Sequence, residues 1–392
     1  MTERDRVLIT IQHPAHVHFF RNAVADLEDR GYDVHVYARD KDVTCDLLEA
    51  YDMEYEVLAG SAESTVELAK VQAVYEYRIL KRARELSPDA LLAIGEPAVA
   101  HASTVVDGHS VLFTDTEHAT FQNAITFPFA DLVCTPRAFR DDLGDGHYAY
   151  SGYHELAYLH PDRFTPDPRV LAEIGARPAA PAAPRADGGV STDFGPSADS
   201  GSGTNSGAGS GAATRTGTAP NATTDDPLVV LRLVSWNAAH DFGRDGMNDI
   251  ERLVAELERF GATVRLSAEG ELPPALADRR FDLPPERMHD LLAHADLFLG
   301  ESATMAIESA VLGTPSLYVS DLDAGVLEEL ETRYGLLRRL PQETGTAAVA
   351  DAARELLATD DSTWERRRRR LLEESVDTTS FVVDTVERVV RG

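Results

Sequence analysis

The stretch from Leu297 to Val319, LFLGESATMAIESAVLGTPSLYV, leaves little choice of local fold. Leu297-Phe298-Leu299 is a short apolar run and reads as a buried strand. From Met305 the apolar spacing turns helical, with Met305, Ile307 and the Ala310-Val311 pair on one broad side. Gly313 stands where a helix ends, Pro315 follows it, and Ser316 to Val319 reads as the next strand. Strand, turn, helix and strand make one βαβ unit. Its turn carries Glu301, Ser302, Ala303, Thr304 and Met305 at the start of a helix. Unpaired backbone N–H groups and the positive end of the helix dipole suit that place to a phosphate. Glu308 lies one turn further on, where a carboxylate can accept from ribose hydroxyls. The plainer reading of the same residues is a βαβ unit with a Ser N-cap.

The chain opens with the same logic. Arg6 to Ile11 is a strand, Gln12 to His16 a turn, Val17 to Arg30 a helix ending at Gly31, and Asp33 to Ala38 the next strand. Further strands are expected at Tyr55–Leu58, Ala90–Ile94, Ser110–Thr114, Leu132–Cys134 and Tyr148–Gly152. Helices are expected at 42–49, 64–85 and 98–105. A segment from about Gly175 to Asp226 is dominated by Ala, Pro, Gly, Ser and Thr and reads as a disordered insert. Leu228 to Val234 then starts a second α/β half, with helices at 248–260, 288–294 and 349–357. The expected division is a first domain over 1–174, the insert over 175–226, a second domain over 227–361, and helices over 362–392 that cross back to the first domain.

Three segments carry a resemblance. PAHVHFFRNAVADLEDRGYDVHVYARDKD, near the N-terminus, resembles the signature of an archaeal family, domain of unknown function 354, assigned to the GT-B-like group. The 297–319 stretch is similar, without gaps, to the D-S-G-G-x-x-x-E-x-x-x-L-G-x-P segment of non-hydrolysing UDP-N-acetylglucosamine 2-epimerases. Ser302, Glu308, Leu312, Gly313 and Pro315 match; Ala303 and Thr304 stand where that family has glycines. With one gap it is similar to the lipid-linked N-acetylglucosamine transferases of peptidoglycan synthesis, whose histidine before the first helix aligns with His16. The resemblance implies a GT-B-like α/β fold, two doubly wound Rossmann-type domains with a cleft between them. It further implies a nucleotide-sugar substrate, UDP-linked, and no separate cofactor.

Charge narrows the partners. The net charge is −29, and Lys41, Lys70 and Lys81 are the only lysines among 37 basic residues. Such a surface suits high salt, as in halophilic archaea, and disfavours nucleic-acid binding, whose affinity comes from neutralising phosphates. No apolar run reaches the length of a membrane span, and Cys45 and Cys134 are expected as reduced thiols, so a cytoplasmic location is expected. No metal site is expected, because no His/Cys/Asp/Glu set has ligand spacing. The arginine run 366–370 reads as a solvated helix face.

Candidate chemistry gathers at strand ends. His13 and His16 follow the first strand, and a histidine there can act as a general base. Glu96, Asp115, Glu117 and His118 follow two further strands. Acids at similar turns move protons in the epimerases. Arg232, Ser235, Trp236 and His240 sit in and after the first strand of the second half, as phosphate-pairing and stacking groups. His16, Asp115 and His118 are therefore the catalytic candidates. His13, Glu96, Glu117, Arg232, Ser235, Trp236, His240 and the 301–305 turn with Glu308 are the substrate-binding ones. The expected activity is a nucleotide-sugar-dependent glycosyltransferase of surface-glycan or glycolipid assembly, its donor in the second domain. Its acceptor would be lipid-linked or a glycan, with peripheral membrane contact. An epimerase-like isomerase and a non-catalytic nucleotide-sugar binder are the alternatives.

Overall fold

The computed structural model describes residues 4–61, 65–176, 226–234, 249–268 and 270–391. In the first half the elements alternate: β1 (Arg6–Ile11), α1 (Pro14–Asp29), β2 (Asp33–Arg39), α2 (Thr44–Ala50), β3 (Glu56–Ala59), α3 (Thr65–Leu86), β4 (Ala90–Ile94), α4 (Pro97–Ser103), β5 (His109–Phe113), α5 (Thr120–Thr126), β6 (Leu132–Pro136) and β7 (His147–Tyr150). Two short helices follow, α6 (Leu156–Leu159) and α7 (Val170–Glu173). The second half runs β8 (Leu228–Leu233), α8 (Ile250–Arg259), β9 (Thr263–Ala268), α9 (Met288–His294), β10 (Leu297–Gly300), α10 (Ala303–Leu312), β11 (Ser316–Val319), α11 (Gly325–Glu329), β12 (Leu337–Leu340) and α12 (Thr346–Leu357). It closes with α13 (Asp361–Glu373) and α14 (Thr378–Arg391).

Both sheets are parallel. The first has seven strands in the order β3-β2-β1-β4-β5-β6-β7, the second five in the order β12-β11-β10-β8-β9. Parallel sheets are covered on both faces, which is why their strands read as continuous apolar runs. Val7, Leu8, Ile9 and Ile11 of β1 and Leu91 and Leu92 of β4 are fully buried, as are Leu297, Phe298 and Leu299 of β10. Each such side chain stabilises the fold by about 1.5–3 kcal/mol. In each sheet the chain reverses its direction of growth beside the first strand, between β1 and β4 and between β8 and β10. Ligands of doubly wound sheets bind in the crevice at such points.

The βαβ unit read at 297–319 is present. Ser302 caps α10 by accepting from the Met305 amide at 3.4 Å, and Gly313 closes the helix at φ +91°, a conformation costly for any other residue.

The two halves are tied together by their strand-end segments. Arg140, after β6, pairs with Asp323, after β11, at 2.6 Å, and Arg137 pairs with Glu329 of α11 at 3.0 Å. Helix α14 lies on α1 and α6 of the first half. Thr378 and Thr379 donate to the carbonyls of Tyr153 and Ala157 at 2.7 and 2.6 Å, and Arg30 pairs with Glu387 at 2.8 Å.

The arginine run departs from expectation. Arg367 donates to the Gly335 carbonyl at 2.7 Å and Arg368 to the Val311 carbonyl at 3.2 Å, so these two fasten α13 to the second half instead of facing solvent. Helix C-terminal carbonyls lack partners within their own helix, and guanidinium groups supply them. Most of the insert expected over 175–226 falls outside the described residues.

Candidate functional site

Helix α1 begins at the carboxyl end of β1 because Pro14 suits a first helical position and His13 caps it, Nδ1 accepting from the Ala15 amide at 3.2 Å. His13 is thus a cap on the exposed rim. His16 Nδ1 accepts from the Gln12 amide at 3.4 Å. Burial, with His13, His154 and Lys41 nearby, pushes His16 down to about 3. An imidazole so hard to protonate is a weak base, which counts against the general-base role expected of it.

Asp115 follows β5 and remains about a quarter exposed, accepting from the Thr116 hydroxyl at 3.0 Å. Its other oxygen lies 3.5 Å from Nδ1 of His154. His154 is buried between Phe19 and Tyr150, its ring centroid 4.8 Å from that of Phe19, and burial holds it below the usual histidine range. The next residue, Glu155, is also buried and is held well above the usual carboxylate range, first by desolvation and then by the charges of Asp115 and Glu308. The arrangement sets an accessible carboxylate near a buried, proton-holding one, and two carboxyl groups in such different surroundings can divide acid and base roles. His118 stands exposed, without a hydrogen bond or ion pair among the described residues.

Glu96 and Glu117 are engaged within the fold, and Glu308 is enclosed. Glu96 is buried at the end of β4, where its Oε1 accepts from the Ala98 amide at 3.1 Å and caps α4. Burial raises it to about 7, against hydrogen bonds from Ala98 and Gln72 that lower it. Glu117 reaches the second half instead. Its two oxygens lie 3.2 and 2.9 Å from the Gly325 amide at the start of α11, and Oε1 also accepts from the Arg140 amide at 2.9 Å. Glu308 is 5 % exposed rather than open to solvent.

Glu308 is the meeting point of the two halves. Its Oε1 accepts from the Tyr158 hydroxyl of α6 and from His289 Nε2 of α9, each at 2.9 Å. No contact among the described residues uses Oε2. The His18 ring stacks on Tyr158 at 5.2 Å and meets His289 edge-on at 4.6 Å, while Tyr51 pairs with His18 Nδ1 at 3.3 Å. Burial pushes His18 well below its ordinary range, with His289 and Arg21 adding to it, so His18 is a neutral ring in the aromatic layer around Glu308.

At the second switch point, Ala303 and Thr304 open α10 with first-turn amides that have no carbonyl one turn back. Glu301 accepts from the Val234 amide at 3.2 Å, and Arg232 donates to Ser267 Oγ on the neighbouring strand at 2.8 Å. Gly300 permits the close approach to β8: a Cβ there would sit 2.5 Å from the Arg232 carbonyl. Ser235, Trp236 and His240 lie outside the described residues. Among the described residues no group of three or more potential ligands is placed to hold a metal.

His154, Glu155, Tyr158 and His289 were missed in the sequence reading. The first two do carry a local signal, since they stand in a polar run just past the strand that ends at Tyr150. Tyr158 and His289 carry none, because their importance comes from a residue 150 and 19 positions away.

Residues 6–145 match the model of a family described as a protein of unknown function, DUF354. No curated protein matches in sequence. Among solved structures, the chain is similar to the UDP-GlcNAc 2-epimerase from Neisseria meningitidis bound to UDP-GlcNAc. That match has 12% identity and a TM-score of 0.60, over 97% of this chain and 99% of that one. It is similar to MnaA of S. aureus solved with UDP, at 10% identity and TM-score 0.62, over 99% and 97%. It is similar as well to the glycosyltransferase SnogD from Streptomyces nogalater, at 16% identity and TM-score 0.57, over 98% and 100%. Such identities establish the fold, which is GT-B-like, and leave the activity to the site.

Proposed function

We propose that this protein is a nucleotide-sugar enzyme, and that it transfers the sugar of a UDP-linked donor to an acceptor held by the first half. The observation that carries this reading is the β10–α10 turn at the second switch point. Its free first-turn amides at Ala303 and Thr304 suit a pyrophosphate, and Oε2 of Glu308, one turn on, suits the ribose. Solved structures of the same fold hold UDP or UDP-GlcNAc, which supports the choice of nucleotide. On the first half, Asp115 accepts the proton: it is an accessible carboxylate at a strand end, with His154 Nδ1 3.5 Å behind it. Glu155, protonated, supplies the matching acid.

A second reading rests on the same pair. Asp115 could remove the C2 proton as the C1–O bond to UDP breaks, and Glu155 return a proton to C2 as that bond re-forms, which is epimerase chemistry. One experiment separates the readings. Isothermal titration with UDP and UDP-GlcNAc in molar KCl tests binding, and NMR of the bound sugar in D2O tests exchange. Binding without deuterium uptake favours transfer; uptake at C2 favours epimerisation; no binding to UDP, GDP or dTDP forms of the sugar overturns both.

A further inference from the structure

The first half carries an apolar patch unlike the rest of this acidic surface. Phe121 is 78% exposed, Phe129 48% and Ile125 37%, all in or just after α5. On α3, Tyr77 is 67% exposed and Val74 45%. Helix α4 joins the two groups. His101 bonds to Glu76 of α3 through one ring nitrogen and lies 3.0 Å from the Ile125 carbonyl through the other, its ring 5.0 Å from that of Phe129. Large side chains left in water on neighbouring helices mark a surface that meets something.

Charge says what that something is. The chain carries 66 acidic and 37 basic residues, yet α3 reverses the balance, with Lys70, Arg78, Lys81, Arg82 and Arg84 against Glu67, Glu76 and Glu85. Two of the three lysines of the whole protein are on this helix. Val74, Tyr77, Lys81 and Arg84 recur at three- and four-residue steps, so they share its outer face, while Tyr75, Ile79 and Ala83 fill the inner one. A second copy of this chain would meet the patch with the same patch, setting the basic face of α3 near its own like charge. Exposed aromatic side chains beside a basic helix face match the interface of an anionic bilayer, where rings enter the headgroup layer and basic side chains meet phosphates.

We propose that the α3–α5 surface docks the protein on an anionic lipid bilayer. The place has a consequence for the site. Helix α5 is held to the carboxyl end of the first sheet, Gln122 donating to the Gly95 carbonyl and Asn123 to the Thr116 carbonyl at 3.2 Å. Docking there brings the bilayer to the lip on which Asp115 stands. On the proposed transferase reading, the acceptor would then arrive from the membrane; the docking itself does not depend on that reading.

The test is co-sedimentation of the full chain with vesicles of phosphatidylglycerol and of phosphatidylcholine, in molar KCl where surface charge is screened to contact range. The wild-type protein is expected to pellet with phosphatidylglycerol and to bind phosphatidylcholine about tenfold less. The F121S/F129S double variant should lose about tenfold or more on phosphatidylglycerol with an unchanged melting temperature. K81Q/R84Q should narrow the preference between the two lipids. No vesicle binding by a folded wild-type protein overturns the proposal. So does a wild-type dimer in light scattering that F121S/F129S dissociates, because the patch would then cover a second copy. Nucleotide-sugar titration on the same samples keeps the two readings apart, since vesicle binding survives a failure of sugar binding.

Discussion

The hydroxyl of Tyr158 donates to Oε1 of Glu308 at 2.9 Å, and this bond joins the first half of the chain to the nucleotide-side helix of the second. A carboxylate placed there serves two purposes. It is anchored by Tyr158 and His289 through one oxygen, which leaves the other for a ligand.

Glu308→Ala is therefore expected to cost apo stability as well as affinity. It strands two buried donors, at about 1–3 kcal/mol of stability. Glu308→Gln keeps an acceptor oxygen and should cost less stability, while weakening UDP-GlcNAc binding by about one to two decades. Tyr158→Phe should lower the apo melting point and leave affinity nearly intact. Melting curves beside titrations check all three; equal affinity for wild type and Glu308→Gln would remove the ribose contact.

Gly325 is the tightest joint between the halves. A Cβ there would lie 1.8 Å from the Ala138 carbonyl and 2.8 Å from Glu117 Oε1. Gly325→Ala should force the joint open and destabilise by at least about 1–3 kcal/mol, the range for overpacking. Glu117→Ala removes the acceptors of the Gly325 and Arg140 amides and should raise hydrogen exchange at Gly325 without a steric clash. Exchange mass spectrometry distinguishes the two, and protection unchanged in Glu117→Ala would show that the carboxylate is idle.

Removal of α14 should unfold the first half. Val382, Val383 and Val386 are fully buried, each worth about 1.5 kcal/mol or more, against a typical net stability of only about 5–15 kcal/mol. A chain ending at Asp377 is expected to bind hydrophobic dyes and to lose one cooperative transition in calorimetry. A normal transition would mean that α1 and α6 hold without it.

Glu96 predicts a pH dependence. Its carboxyl sits at about 7 in the fold, above the ordinary value of 4.5. Between those values the folded state binds the extra proton, so stability is present below pH 4.5 and is lost as pH rises toward 7. Glu96→Gln keeps an acceptor for the Ala98 amide and removes the ionisation. It should flatten this slope and raise stability at pH 8 by roughly 1–3 kcal/mol. Parallel slopes for the two proteins between pH 5 and pH 8 would show that Glu96 is not the titrating group.

What the chain by itself determined is local. The Leu297–Val319 unit, the Gly313 cap and the His13–Pro14 start of α1 follow from periodicity and capping within a few residues of each other. A doubly wound α/β fold was legible for the same reason, since strands ending in polar turns repeat along the chain; the GT-B-like assignment came from the resemblance. The tertiary structure decided which of those polar residues are free. Glu96 and Glu117 look alike as acids after a strand, yet one is buried under α4 and the other spent on the Gly325 amide. Asp115 stays about a quarter exposed, and His154, brought over it by the segment after β7, lies 3.5 Å from its second oxygen. Glu308 reads from its spacing as a carboxylate one turn past the phosphate turn, and only the packing of α6 and α9 encloses it. Burial and desolvation depend on neighbours distant in sequence, and no local pattern of residue types encodes them.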